Sequence, residues 1–327
     1  MTNQTFVPLA VADRSGHDES VHVGALVLLD RRGEVLFALG DQHVEIYPRS
    51  SLKPLQAWSM LEAGLDLPDD LLALVCASHD GRALHLDGVR RILAGVDLEE
   101  SSLANTPDLP LASDEAERVL MAGGRRTSIQ QNCSGKHAGM LATCRHNGWP
   151  IETYLDMAHP LQQAIAEGLA HLTAQATVAH IGIDGCGAPT HVLRLIDLAR
   201  AFRAIASGSA GPSGERIARA MTSHPEMVGG PGHVTTSLMK SIPGLMLKDG
   251  AEGVFAGALA DGRALALKIG DGSNRARPPV IRAALRALDV DISGVADEVF
   301  ESPVLGHGHR VGQVRCVGEL ATFVDAC

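Results

Sequence analysis

Two apolar runs, VFAGAL (residues 254–259) and ALALKI (residues 264–269), stand on either side of the dipeptide Asp261-Gly262. Short apolar runs that are bounded by a turn dipeptide are typical of paired β-strands. Asp-Gly favours a type I′ turn, whose twist matches the twist of the strands that it joins. The sequence therefore predicts a β-hairpin in this part of the chain.

Strands are predicted at both ends of the chain, from about residues 20–40 and 250–320, around a mostly helical middle. Val21–Leu29 and Glu34–Leu39 flank a turn signal near the start, and Arg310–Val317 is predicted to be a closing strand. Gln162–Leu172 and Val192–Ile205 have the apolar spacing of helices. We therefore predict an α+β fold, with an antiparallel sheet built from both termini, helices packed around it, and residues 1–327 forming a single catalytic unit.

Composition excludes several classes of partner. The formal net charge of −10 leaves no basic surface for nucleic acid. No apolar run approaches the roughly 18 residues that a membrane span needs. The first residues lack the charged and apolar regions of a secretory signal, and the six cysteines include no CxxC pair. The sequence thus predicts a cytoplasmic protein with reduced thiols.

Lysine is scarce, with five lysines against 23 arginines. A lysine side chain can lose its proton, whereas an arginine side chain stays charged. Each lysine is therefore a candidate for a site that needs a neutral amine. Ser50 and Lys53 form an SxxK motif at the start of a predicted helix, Ser51–Gly64, where residues three apart share a face. The motif alone also fits an ordinary helix start. A second copy, Ser237–Lys240, lies in a predicted ordinary helix and is interpreted as structural.

Three further stretches combine glycine with reactive side chains, and each keeps two interpretations. Gln131–Met140 is either a stretch whose small residues let the backbone approach a ligand or another helix, or a helix start with a buried cysteine. Asp184 either holds the amino group of a substrate or caps its own turn. The glycines of Lys248–Gly253 either expose backbone N–H groups as an oxyanion hole or form a plain turn.

Taken together, six motifs in the same order resemble the rhizobial-type (class 3, asparaginase II family) L-asparaginases, from about Val21 to Val317. The motifs are Arg49–Pro54, Cys76–His79, Asn132–His137, Asp184–Cys186, His224–Val228 and Lys248–Ala251.

The resemblance implies a β-lactamase/glutaminase-like serine hydrolase fold and a homodimer. It implies two Ser–Lys pairs, Ser50 with Lys53 and Ser78 with Lys248. It also implies a zinc ion held by Cys133, Lys136 and Cys186. Substrate-binding positions are Arg49, Asp184 and Gly250, the last within the possible oxyanion hole.

The resulting hypothesis is an L-asparagine amidohydrolase in which Ser50 attacks the side-chain amide, Lys53 accepts its proton and water releases L-aspartate. One alternative is a β-lactamase-like or other amide hydrolase, although the chain has no KTG or SDN motif. A second alternative is a non-catalytic protein that binds an amino acid or zinc.

Overall fold

A computed structural model describes residues 5–174 and 180–326. The chain divides into two compact units. We call Met1–Ser51, Leu193–Ser207 and Ser237–Cys327 the sheet unit, and Leu52–Val192 with Gly208–Thr236 the helical unit. That the whole chain acts as a single catalytic unit stays a prediction.

In chain order, the strands of the described residues are β1 (Val7–Arg14), β2 (His17–Leu29), β3 (Val35–Leu39), β4 (Glu45–Ile46), β5 (Ile181–Ile183), β6 (Pro189–His191), β7 (Leu193–Arg194), β8 (Leu245–Gly250), β9 (Val254–Leu259), β10 (Ala264–Ile269), β11 (Pro303–Gly306) and β12 (His309–Cys316). The α-helices are α1 (Lys53–Glu62), α2 (Asp69–Val75), α3 (Ala83–Ala94), α4 (Ser113–Met121), α5 (Ser134–Asn147), α6 (Pro160–Thr173), α7 (Leu195–Ala206), α8 (Gly211–Ser223), α9 (Pro225–Val228), α10 (Val234–Ser241), α11 (Arg277–Ala287) and α12 (Glu319–Ala326).

The sheet unit is organised by an antiparallel sheet of strands from both ends of the chain. Its order is β11-β12-β1-β2-β10-β9-β8, and β3 also pairs with β2. Helix α7 packs against β2, β9 and β10, while α11 packs against β1 and β12. Strand β9 is buried along its whole length, which explains why its sequence is a continuous apolar run rather than an alternating one. The predicted fold class, α+β with a sheet drawn from both termini, is confirmed.

The predicted hairpin is present, but its turn differs. Strands β9 and β10 pair with Ala256 opposite Ala266. Of the two turn residues, only Gly262 has a positive φ, of 94°. A type I′ turn needs positive φ at both central positions, so this prediction was wrong. The hairpin instead closes with a hydrogen bond from Leu259 N to Arg263 O, and Asp261 does not have a positive φ.

Two other predictions differ in detail. The helix that was predicted from Ser51 begins as a 3-10 turn over Arg49–Leu52, and α1 proper starts at Lys53. Strand β1 was not predicted, because Pro8 interrupts its apolar run and proline is disfavoured within a sheet. The structure accommodates Pro8 with a register shift between Pro8 and Ala10.

The helical unit is held together by close contact between α2 and α5. A side-chain carbon on Gly135 would lie 2.3 Å from the carbonyl oxygen of Leu74, and one on Gly139 would lie 2.7 Å from a methyl group of Val75. The small residues of the Gln131–Met140 stretch therefore permit the approach of another helix. Among the described residues, no helix is both long enough and apolar enough to cross a membrane.

Gly135→Ala should destabilise the protein by about 2 kcal/mol, because the new methyl group would overlap backbone that has little room to move. Gly185→Ala is the matched control, since a carbon there meets nothing within 4 Å. Urea unfolding measures both variants. Equal unfolding midpoints for the two variants would contradict the proposed close approach.

His191 makes the helical unit sensitive to acid. Its side chain is buried, and burial lowers its pKa to about 4. As the pH falls below 6.5, the unfolded chain takes up a proton that the folded chain does not, so stability is lost between about pH 6.5 and pH 4. Between pH 7 and pH 5 we expect this residue to account for a loss of about 2 kcal/mol.

His191→Gln should therefore lose less stability than the unmodified protein when urea unfolding is repeated at pH 7 and pH 5. His309→Gln, at an exposed position, is the control. It should lose as much stability between pH 7 and pH 5 as the unmodified protein does. The assignment to His191 is wrong if both variants lose stability equally.

Candidate active site

Lys53 is a buried amine held against a serine hydroxyl. It opens α1, is only 1% exposed, and its Nζ donates hydrogen bonds to Ala77 O and, at 3.1 Å, to Ser78 Oγ. Ser78, itself 6% exposed, follows the end of α2. The sequence paired Lys53 with Ser50 and Ser78 with Lys248. The structure brings Lys53 to Ser78, while the two predicted pairings stay predictions.

The segment that carries Ser78 is fixed on both sides by backbone hydrogen bonds. Ser78 N donates to Val228 O at 3.0 Å, and Asp80 N donates to Gly229 O at 3.0 Å. Gly230 has a φ of 125°, and a side-chain carbon there would lie 2.1 Å from Asp80 Oδ2. Glycine is therefore required at position 230, and the hydroxyl of Ser78 is presented from a rigid segment.

His79 ties this segment to the start of α5. Its Nε2 lies 2.8 Å from Ser134 Oγ, and that hydroxyl donates to Ile129 O. Since the serine proton is used in this way, His79 Nε2 must carry the hydrogen and donate it. Burial, followed by the charges of His85 and Lys53, holds the pKa of His79 well below its usual range. His79 is therefore a neutral donor. The sequence placed it near a motif but gave it no role.

Cys133, Lys136 and Cys186 form what we call the thiol–amine cluster. Lys136 Nζ lies 3.2 Å from Cys186 Sγ, Cys133 and Cys186 pack in one buried cluster, and all three side chains are buried. The charge of Lys53 also helps to lower the pKa of the Cys133 thiol. Lys53 therefore acts electrostatically on the predicted metal ligands within the helical unit.

The electrostatics of the cluster favour one thiolate beside one ammonium. The hydrogen bond from Cys186, and after burial the charges of Lys53 and Lys136, hold the pKa of Cys133 well below its usual value. Burial works against the charged form of Lys136, but the charges of Cys186 and Cys133 outweigh it and raise the pKa of the amine. The hydrogen bond with Cys133 and burial raise the pKa of the Cys186 thiol.

The donor set of the cluster fits a soft divalent cation. Two cysteine sulfurs and an amine nitrogen are ligands that zinc accepts, and tetrahedral geometry separates a bound sulfur and nitrogen by about 3.5 Å. The observed 3.2 Å between Lys136 Nζ and Cys186 Sγ is close to that separation. Within residues 5–174 and 180–326, no group of three His, Cys, Asp or Glu side chains could hold a metal. A three-ligand site here thus depends on the lysine.

Asp184 lies in the tight turn between β5 and β6, near this cluster. Its Oδ1 accepts a hydrogen bond from Gly185 N at 2.9 Å, and its carbonyl oxygen accepts one from Gly187 N. The interpretation that Asp184 caps its own turn is therefore supported. Its negative charge also contributes to the raised pKa of Lys136. Binding of a substrate amino group by Asp184 stays a prediction.

The remaining predicted residues meet inside the sheet unit. Arg49 opens the 3-10 turn with a φ of 54°, Ser50 is half-buried, and Ser51 Oγ donates to Lys248 O at 3.1 Å. A side-chain carbon on Gly250 would lie 2.3 Å from Pro48 O. The turn that carries Ser50 therefore packs on the end of β8 that carries Lys248, and glycine at 250 permits that approach.

A scan against family models and a search of solved structures both give matches. Among the solved structures are Mglu in its native form (14% identity, TM-score 0.42, covering 81% of this chain and 64% of that chain) and a β-lactamase described as such provisionally, from Bacteroides dorei (15%, 0.46, 80% and 93%). A third is EstCE1, a hydrolase with promiscuous acyltransferase activity (13%, 0.43, 80% and 93%). The chain thus spans less than two thirds of the length of Mglu.

A search of curated proteins finds no match. The family model described as L-asparaginase II matches residues 10–316, which is nearly the whole chain and includes every candidate residue described above. The chain therefore belongs to the L-asparaginase II family.

Proposed function

We propose that this protein is an amidohydrolase that converts L-asparagine to L-aspartate and ammonia through an acyl-enzyme, with a serine as nucleophile and a lysine as its base. Membership of the L-asparaginase II family supports the substrate. The observation that carries the mechanism is the contact of 3.1 Å between the buried Lys53 Nζ and Ser78 Oγ. A base must lie within hydrogen-bond reach of the proton that it takes, and this amine does.

In the reaction, the neutral form of the amine accepts the hydroxyl proton while the serine oxygen attacks the amide carbon. The carbon–nitrogen bond then breaks, and the lysine returns the proton to the leaving ammonia. Water hydrolyses the resulting ester and frees L-aspartate. Ala77 O contributes by holding one N–H of Lys53, which orients the amine toward Ser78.

The identity of the acylated serine has two candidates. The sequence assigns Ser50 as the nucleophile, with Lys53 as its base and Ser78 with Lys248 as a second pair. The contact in the helical unit favours Ser78 as the hydroxyl that Lys53 deprotonates. Arg49 and Asp184 are proposed to bind the substrate, as the resemblance implied, and Gly250 is proposed to bind it as part of the possible oxyanion hole.

Cys133, Lys136 and Cys186 are proposed to hold zinc. When bound, zinc would supply a fixed positive charge that attracts a carboxylate or polarises a carbonyl group. The side chains themselves keep water from this part of the unit by their burial, and Lys136 must lose its proton before it can act as a ligand.

Lys53→Met should lower kcat/KM for asparagine by about 10³-fold or more, because the Ser78 hydroxyl would lose the amine that contacts it. Lys240→Met is the matched control, since Lys240 belongs to the second SxxK motif and is exposed. Release of ammonia measures both. Undiminished release by the Lys53 variant would refute the proposed mechanism.

The acylated serine can be identified with an electrophilic asparagine analogue, followed by peptide mapping in a mass spectrometer. We expect the adduct on Ser78, and its loss in Ser78→Ala but not in the control Ser237→Ala. An adduct on Ser50 would instead support the assignment from the sequence. An adduct on neither serine would contradict the acyl-enzyme.

Purification without chelators should give about one zinc ion per chain, as a single site implies. Cys133→Ser should lose the metal, whereas Cys144→Ser, a buried cysteine of α5 outside the cluster, should keep it. Because the pKa of Lys136 is raised, zinc affinity should increase as the pH rises. Elemental analysis and zinc titration at several pH values test this. Equal zinc contents in the two variants would remove the metal from the proposal.

A homodimeric assembly and a cytoplasmic location stay predictions from the sequence.

Turnover of nitrocefin tests the β-lactamase-like alternative, and it should be absent. Ammonia release from asparagine separates the enzyme from a protein that only binds an amino acid or zinc.

A further inference from the structure

We propose that Asp249 is a positioning residue for Lys248, and that Arg277 fixes Asp249 in place. The proposal rests on the proposed function, in which Lys248 belongs to the second Ser–Lys pair. It adds a carboxylate and a guanidinium to the sheet-unit side of that chemistry, neither of which the sequence had singled out.

Lys248 is a fully buried lysine at the end of β8, with an exposed fraction of 0%. Its Nζ donates to Asp249 Oδ1 at 2.7 Å and to Asp249 O at 2.8 Å. Two hydrogen bonds to one neighbouring residue restrict a side chain that otherwise has four rotatable bonds. The amine is therefore held in one place by Asp249.

Asp249 is in turn held by a cation on another element. Arg277, the first residue of α11, places a guanidinium nitrogen 3.6 Å from Asp249 Oδ2. The same nitrogen donates to Gly250 O at 3.0 Å and to Val254 O at 3.3 Å, and the guanidinium lies over the ring of Phe255 at 5.5 Å. Arg277 is thus anchored by backbone and ring contacts that do not depend on Asp249.

The arrangement is more than a surface ion pair. The carboxylate lies between two cations, one on each oxygen, and its side chain is only 15% exposed. Hydrogen bonds and ion pairs are stronger when both partners are charged, so a carboxylate between two cations makes strong contacts to both. If Asp249 lost its charge, the amine of Lys248 would remain buried without a negatively charged partner in contact with it, which is unfavourable.

Charged side chains also lie on some of the elements around β8. Strand β9 has no charged side chain. The turn before α1 contributes Arg49, and α11 contributes Arg277. Helix α7 carries Asp197, Arg200 and Arg203, and Asp197 is bound to Arg194. Asp249 is the carboxylate in direct contact with Lys248, so its removal should act on Lys248 first.

The test is NMR of the lysine Nζ groups in protein labelled with ¹⁵N-lysine. With five lysines in the chain, the Lys248 signal is assigned by its disappearance in Lys248→Arg. In Asp249→Asn, the pH midpoint of the Lys248 signal should fall by about one unit. In Asp249→Glu, the midpoint should stay close to that of the unmodified protein, because glutamate keeps the negative charge. An unchanged midpoint in Asp249→Asn would overturn the proposal.

Asp261→Asn is the matched control, because Asp261 is another paired carboxylate of the sheet unit, bound to Arg263 and Arg31. It should leave the Lys248 midpoint where it is. A shift of equal size in this control would also overturn the proposal, since the effect would then be general to the unit. Asp249→Glu keeps the test decisive if Asp249→Asn folds poorly.

Asparagine hydrolysis gives the second measurement. In Asp249→Asn, kcat should fall about tenfold while KM changes by less than about threefold, and the ascending limb of the pH–rate profile should move to lower pH. A Lys248 midpoint that shifts without any change in this profile would overturn the link to catalysis. Absence of asparagine hydrolysis in the unmodified protein would instead refute the proposed function, and the NMR measurement would still decide the contact.

Discussion

The structure depends on a constraint at Lys53, an amine removed from water. A buried amine must find hydrogen-bond acceptors within the protein, and here the acceptors are Ala77 O and Ser78 Oγ. Because α1 is buried from Lys53 to Leu61, the amine has no route to solvent along its own helix. The end of α2 must therefore come to the start of α1. The contacts of α2 with α5, α8 and α9 hold the Ser78 segment where this requirement places it.

The thiol–amine cluster extends the same constraint. Cys133 packs against Cys186, and Cys186 contacts Lys136. Two amines and two thiols thus share one buried region of the helical unit, where the charges of Lys53 and Lys136 help to lower the pKa of Cys133. His79 connects this region to its surroundings, because its hydrogen bond to Ser134 links the Ser78 segment to the first turn of α5. Such a buried polar network favours a single arrangement when its members are satisfied.

The sheet unit repeats the principle with different partners. Lys248 is buried at the end of β8, where Asp249 supplies the opposite charge and Arg277 contacts Asp249 in turn. Gly250 then allows Pro48 and Ser51 to approach the same strand end. The turn that carries Ser50 is positioned by this close packing rather than by its own helical propensity, as the left-handed backbone of Arg49 indicates.

The sequence by itself determined the α+β class, the β9–β10 hairpin and the small set of lysines that could act as bases. Those features follow from local patterns: apolar runs, glycine turns and the contrast between lysine and arginine. It could not determine strand β1, whose proline obscures the pattern, or the handedness at Asp261. Only the tertiary structure decided that Lys53 meets Ser78, which lies 25 residues away, and that Lys136 meets Cys186, which lies 50 residues away. Spacing along one helix predicts neighbours three or four residues apart, whereas partners between elements are set by how the helices pack.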